Sequence, residues 1–307
     1  MTRRRRSFVA CCFTLLVSVS VLAQSVYVPQ RVFVSARKQF GEFETMLAEL
    51  SRADVLFFGE QHDDAQTHRI ELALLEGLAR RRGGIVVALE MFERDVQEPL
   101  TQFAGGRITE AAFLEHARAW PQYTRDYKPI VDFAIVQKWP VVAGNVPRTI
   151  AADVSRVGLA LLKSRPDSEK GWFARDVKCP ANDRYFGRFQ QTLRGATHGT
   201  EREGPLDPET IERYYQAQCL KDETMGESIA DAYMAGAVGG KRPLVVSVNG
   251  AFHTDFGDGL VERTRRRLPD RKLATVSILP VADLDHVGPD GTERKRADYL
   301  IYTTAGK

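Results

Sequence analysis

Two short stretches of the chain set a histidine three residues after a glycine. They are Phe57-Phe58-Gly59-Glu60-Gln61-His62 and Ser247-Val248-Asn249-Gly250-Ala251-Phe252-His253. In both, an apolar run ends at the glycine, which lets the backbone turn sharply or approach a ligand closely. A third apolar run ends in Leu89-Glu90-Met91-Phe92-Glu93-Arg94, and a fourth in Gly144-Asn145-Val146-Pro147-Arg148. Glu60, His62, Glu90 and His253 together offer two carboxylates and two imidazoles, a donor set for a divalent metal. Imidazole suits Zn, Cu, Fe and Ni, and carboxylates widen the choice. A bound metal lowers the pKa of its water toward ~7, with one glutamate left to act as general base, which is hydrolytic chemistry. The spacing differs from the HExxH of helix-borne zinc peptidases. No GxSxG elbow and no Cys/His ribbon spacing is present.

A second group of residues is aromatic. Trp120-Pro121-Gln122-Tyr123 is followed by Asp126-Tyr127-Lys128-Pro129, and later by Tyr185, Phe186, Phe189, Tyr214 and Tyr215. Met225 and Met234 lie in the same region. Such residues line apolar pockets, and a tyrosinate oxygen is an axial ligand for haem iron. Helix core is the general explanation for apolar stripes of this kind.

The elements that must hold these groups are legible in the pattern. Runs at 32–34, 55–58, 85–89, 141–143, 244–248, 274–279 and 299–302 are apolar without polar alternation, as in strands covered on both faces. Helical spacing fills 65–82, 130–138 and 260–267. Strands alternating with helices predict an α/β fold with a mostly parallel central sheet flanked by helices. Residues 92–239 hold one convincing strand, and their helices predict an inserted helical subdomain over about 95–128 and 147–238. Ligands in open α/β sheets bind beyond the carboxyl ends of the strands. His62 and His253 are therefore expected in one crevice, with Glu60 and Glu90 beside them. Asp63 or Asp64 should cap the helix that begins at Ala65, and His68, in its first turn, should look back toward the site.

The start of the chain concerns location. Met1-Thr2-Arg3-Arg4-Arg5-Arg6 precedes an apolar run from Ser7 to Ala23 that ends in Val21-Leu22-Ala23. A basic start, an apolar middle and a small-residue cleavage site predict a secretory signal peptide over residues 1–24, cleaved near Ala23. The run is shorter than the ~20 apolar residues that span a bilayer. Arg5-Arg6 also fits a twin-arginine signal, so either export route serves. Residues 25–307 would then be periplasmic or secreted. Of 43 basic and 40 acidic residues, four basic ones leave with the leader, so 39 remain against 40. A near-neutral protein has no basic field for nucleic acid. With 43% hydrophobic and 27% charged residues, the composition excludes a disordered chain, a collagen and a coiled coil. Cys179 and Cys219 stay behind the leader, and an oxidising compartment predicts a disulfide between them.

These motifs resemble a known family. Gly59-Glu60-Gln61-His62-Asp63-Asp64, Leu89-Glu90-Met91-Phe92-Glu93-Arg94, Gln218-Cys219-Leu220-Lys221-Asp222-Glu223-Thr224-Met225 and Asn249-Gly250-Ala251-Phe252-His253 are similar to the ChaN-like haem-binding uptake proteins. That family lies within the larger Tiki/TraB and erythromycin-esterase-like group. The resemblance implies an exported α/β protein that binds haem for iron acquisition, with haem at a homodimer interface. Tyr123, Tyr127, Tyr185, Tyr214 and Tyr215, unranked, are then the candidates to ligate ferric iron, and Arg148 or a histidine would hold a propionate. Relatives in the wider group include metal-dependent peptidases, which implies a hydrolase using Glu60, His62, Glu90 and His253 as the alternative. The family's founding member is a lipoprotein. This chain has no lipobox cysteine after its apolar run, which leaves attachment to a membrane surface open.

Overall fold

The computed structural model describes residues 29–181, 183–197, 206–236 and 242–306. The leader expected over residues 1–24 lies outside the described residues. The strands are β1 (Gln30–Val34), β2 (Gln39–Gly41), β3 (Val55–Glu60), β4 (Ile85–Glu93), β5 (Val141–Asn145), β6 (Leu244–Gly250), β7 (Leu273–Val281) and β8 (Tyr299–Thr304). They form one sheet in the order β2-β1-β8-β7-β3-β6-β4-β5. The six strands from β8 to β5 run parallel. The β1–β2 hairpin adds an antiparallel edge against β8. The strand β2 has three residues, too few to show a period, so its pattern was not legible as a strand.

The central strands are buried on both faces because side chains alternate across the sheet. Leu56, Phe58, Val87, Leu89, Val246 and Val248 belong to one hydrophobic cluster. Val55, Phe57, Val86, Ala88 and Val245 belong to another. Each large apolar side chain so buried stabilises by roughly 1.5–3 kcal/mol. The first cluster takes in α1 (Phe43–Leu50), α2 (Ala65–Ala79), α3 (Gln97–Ala104), α4 (Glu110–Ala117), α5 (Tyr123–Asp126) and α6 (Lys128–Val136). After α7 (Arg148–Val157) and α8 (Arg184–Thr197), the long α9 (Pro208–Met234) and α10 (Gly259–Arg267) cover the second face. Val146 and α7 pack on α9 through Ile150, Val154, Ala217 and Leu220. Among the described residues no helix is long and apolar enough to cross a membrane.

Two local features set the site. Asp64 caps α2, its Oδ1 accepting the Thr67 N–H at 2.7 Å, as its position before Ala65 predicts. The second is in β4, which runs on past Leu89 to Glu93. Its register against β5 shifts between Leu89 and Glu93. Such a bulge bends a strand and re-aims its side chains, here those around Glu90.

Cys179 and Cys219 form a disulfide, with Cα atoms 5.5 Å apart and a sequence separation of 40. It ties the segment before α8 to the middle of α9. In the loop-entropy description a closure of this length stabilises by about 4 kcal/mol. Cys179→Ala/Cys219→Ala is therefore expected to lower the denaturation midpoint by an amount in the ~2–4 kcal/mol range usual for such bonds. Equal urea midpoints for wild type and double variant would show that the folded core does not use the bond.

Candidate functional site

The two glycine–histidine turns leave adjacent parallel strands. Their register sets Gly59 opposite Asn249 and Glu60 opposite Gly250. A Cβ on Gly59 would lie 2.9 Å from Thr254 Oγ1 and 3.1 Å from Ala251 Cα. A Cβ on Gly250 would lie 2.7 Å from His62 Nε2. Each motif's glycine thus leaves the space that the other motif's turn or histidine occupies. His62 and His253 stand on the same carboxyl edge of the sheet, as the strand pattern predicts. The His62 side chain is 37% exposed and that of His253 is 8% exposed.

Around these turns the polar groups form two bonded sets. Glu60 Oε1 accepts from Tyr127 Oη–H at 2.6 Å and lies 2.5 Å from His62 Nδ1. Trp120 meets the His62 ring edge-on, with centroids 4.8 Å apart. In the second set, Glu90 Oε2 accepts the Gly250 N–H at 2.7 Å, and Oε1 lies 3.3 Å from His253 Nε2. The other imidazole nitrogen of His253 lies 2.6 Å from Asp222 Oδ1, and Asp222 Oδ2 accepts from Tyr185 Oη–H at 2.7 Å. His62 joins the sets, since its Nε2 lies over Gly250.

The electrostatics follow from this layout. Burial disfavours a charged His253, but the carboxylates of Glu90 and Asp222 outweigh it and raise its pKa to about 10. Burial would push Glu90 up, yet His253 and then His62 hold it well below the usual carboxylate range. His62 is also raised: burial opposes the charge, while the Glu60 hydrogen bond and the nearby Glu90 charge favour it. For His68 burial is likewise outweighed, by Glu71 and then Glu60, and its pKa rises to about 9.

Glu60, His62, Glu90 and His253 share the rim but stand as two pairs rather than around one point. Among the described residues, the set of three metal-ligating side chains whose ligand atoms all lie within 4.8 Å is Glu60, His68 and Glu71. His68 does look back toward the site, as its place in the first turn suggests. Glu71 was not legible as a site residue: a glutamate inside a helix is ordinarily a solvated one, and only packing reveals this one as buried. The same holds for Asp222 in α9, although its motif drew attention.

The tyrosines divide. Tyr123, Tyr127, Tyr185 and Tyr215 are buried, and Tyr214 is half-buried. Tyr127 and Tyr185 donate to Glu60 and Asp222, and Tyr215 donates to Asp183 at 3.0 Å. Burial, reinforced by neighbouring carboxylates, raises all four of these phenols above their ordinary value. Arg148 is 54% exposed in its side chain and pairs with Glu93 Oε1 at 2.6 Å. Asn145 turns inward to accept the Val146 N–H at 2.9 Å. Beside His62 opens a cleft of about 700 Å³, lined by Gln61, His62, Asp64, Val281, Glu293 and Arg296 among others.

Replacing His253 by Gln should destabilise the protein by about 3–5 kcal/mol, the range for removing one partner of a buried ion pair. A pKa raised from 6.5 to about 10 means that the histidine's contribution is full below 6.5 and is lost as pH climbs through 10. The difference in Tm between wild type and His253→Gln is therefore expected to be wide at about pH 6 and to narrow toward pH 10. A difference that does not change with pH would leave His253 a packing role alone.

Comparison with known proteins bears on what this arrangement belongs to. Protein RETICULATA-RELATED 5, chloroplastic, of Arabidopsis thaliana is 25% identical over 268 residues, 83% of this chain and 35% of that protein. The chain spans about a third of that relative's length. Among solved structures, one describing cofacial haem binding to ChaN of Campylobacter jejuni has a TM-score of 0.66 at 16% identity, covering 90% of this chain and 97% of that one. The two share the fold. An erythromycin esterase mutant in its open conformation is 12% identical with a TM-score of 0.44 over 90% of this chain and 83% of that one. The family model described as haem-binding uptake, Tiki superfamily, ChaN matches residues 46–264. That stretch runs from α1 to α10 and takes in both glycine–histidine turns and the α9 motif, more than two thirds of the sequence, and on it the chain belongs to the ChaN haem-binding uptake family of the Tiki superfamily.

Proposed function

We propose that this chain is an exported protein that binds haem for haem and iron uptake. The observation that carries the reading is the family match over residues 46–264. The Cys179–Cys219 disulfide supports an oxidising compartment, where such bonds persist, and agrees with the basic and apolar start of the sequence.

The residues present fit haem at one tyrosine in particular. Bound haem would supply a ferric iron, which a tyrosine oxygen would hold. Four of the five tyrosines are buried, with pKa values raised, so their phenolates are disfavoured. Tyr214, half-buried on α9, is the candidate ligand of the five. It stands one turn before Gln218, and residues four apart share a helix face. Gln218 Nε2 donates to Tyr185 Oη at 3.0 Å and reaches the His253 imidazole. Tyr214 therefore sits on the side of α9 that carries the strand-end groups. Arg148, or Arg296 in the cleft beside His62, offers a guanidinium for a propionate, a geometry that suits Arg. A homodimer with haem between its protomers is part of the same reading.

The hydrolase reading of Glu60, His62, Glu90 and His253 has less support. Their oxygens and nitrogens are largely engaged with one another and with Tyr127, Gly250 and Asp222. A catalytic metal needs about three protein ligands aimed at one point.

Titration of the mature protein with hemin should give a saturable Soret band at about micromolar concentration, and a phenolate ligand keeps the iron ferric. Tyr214→Phe should shift or abolish the band, since only the phenolic oxygen is lost. His253→Ala should leave it largely intact. No saturable binding would end the haem reading, while a band lost in His62→Ala and kept in Tyr214→Phe would move the iron ligand to the cleft. Amino-terminal sequencing of exported material should begin near Gln24.

A further inference from the structure

We propose that Glu60, His68 and Glu71 bind one divalent cation beneath the strand-end crevice, at a site separate from Glu90 and His253. Glu60 ends β3, while His68 and Glu71 lie one turn apart on the inward face of α2. All three are at least 97% buried. His68 Nδ1 lies 2.9 Å from Glu71 Oε2 and 3.7 Å from Glu60 Oε2.

Three features point to a cation rather than to a self-contained hydrogen-bonded cluster. Glu60 Oε2 and Glu71 Oε1 are buried oxygens without a hydrogen-bond partner, and a buried charge is costly unless it is paired or coordinates a metal. The far nitrogen of His68 lies 3.1 Å from the His62 carbonyl. Nε2–H donates there, and Nδ1, whose proton is shared with Glu71 Oε2 at 2.9 Å, would give up that proton to hold a cation between the two carboxylates. A metal-ligating histidine characteristically donates its other N–H to a carbonyl or carboxylate in this way. Lastly, Glu60 Oε1 is held by Tyr127 and His62, which turns Oε2 inward. Two carboxylates and a neutral imidazole match a 2+ charge. One nitrogen and several oxygen donors favour Zn, Mn, Fe or Co over Mg and Ca, which prefer all-oxygen sites. Asp126 Oδ2, 3.8 Å from His68 Nε2, faces the ring from the other side and is bonded to Arg125.

Such a cation would act on the crevice through Glu60. The carboxylate would hold the metal with one oxygen and His62 with the other, so that metal occupancy positions the exposed imidazole.

The test uses the full chain, stripped with chelator and titrated in the absence of haem with Zn2+, Mn2+ or Co2+ alone. One cation per chain by elemental analysis, and a visible Co2+ absorption band, are expected. Glu71→Gln and His68→Gln, which keep side-chain length or volume, should each weaken binding by more than about 100-fold, since even outer-shell changes cost 10–100-fold. His253→Gln should retain the full stoichiometry. Circular dichroism confirms that each variant is folded, and if His68→Gln is not, Glu71→Gln decides. No stoichiometric cation in the wild type would overturn the proposal and leave Glu60 and Glu71 sharing a proton. A cation lost in His253→Gln but kept in Glu71→Gln would place the metal at the strand ends instead. Neither failure touches the haem reading, which is measured by a separate titration.

Discussion

The close approach of β3 and β6 is the constraint on which the strand-end groups depend. Parallel pairing brings the two glycine–histidine turns side by side, but pairing alone would not let them interlock. Each turn occupies the volume that a side chain on the other's glycine would take. Because Gly250 has no Cβ, the His62 imidazole can lie over the backbone whose N–H is bonded to Glu90. Because Gly59 has none, the turn from Ala251 to Thr254 can fold against β3. Protein interiors are close-packed, so one added methyl would displace the His62 imidazole at Gly250 or the Ala251–Thr254 turn at Gly59.

A buried charge network is built on that frame, and α9 is its other wall. Asp222 and Glu223 are both fully buried in the middle of this helix. Asp222 faces His253, while Glu223 is bonded by Arg266 and Arg267 of α10. On the sheet side, Arg94, just past the end of β4, bonds Glu227, Ser228 and the Thr224 carbonyl. Arginine suits such positions because its planar fork satisfies several acceptors at once. Breaking a buried pair by removing one partner typically costs 3–5 kcal/mol, so these contacts fix the place and rotation of α9 along its length. The placement of Asp222 opposite His253 follows from that anchoring. The disulfide holds the same helix one turn earlier, at Cys219.

The site as a whole departs from the hydrophobic rule of the core around it. Glu60, Glu71, Glu90, Asp222 and His253 are all buried, and each of these groups is stable in the interior only through the others. Networks of this kind rigidify when satisfied and are costly when partly satisfied. The unpartnered oxygens of Glu60 and Glu71 are the places where the network is incomplete.

Much of this was legible in the residues. Two-sided apolar runs at 55–58, 85–89 and 244–248 identify the parallel strands, because a strand covered on both faces has no polar alternation. The strand-end position of His62 and His253 follows, since parallel strands that precede helices all point to one edge. The pairing of Cys179 with Cys219 was expected from the sequence, as the pattern of an export leader leaves these two cysteines behind it. What the residues alone left open depends on long-range packing. Nothing local distinguishes Glu71 from a solvated helix glutamate, or Tyr214 from the neighbouring Tyr215, which is buried. The burial that tells them apart comes from which face of α2 meets β3 and which face of α9 meets the sheet. The division of the four strand-end groups into two pairs was likewise decided in three dimensions, by the bulge after Leu89 and by Asp222, which reaches His253 from a helix 31 residues away in sequence.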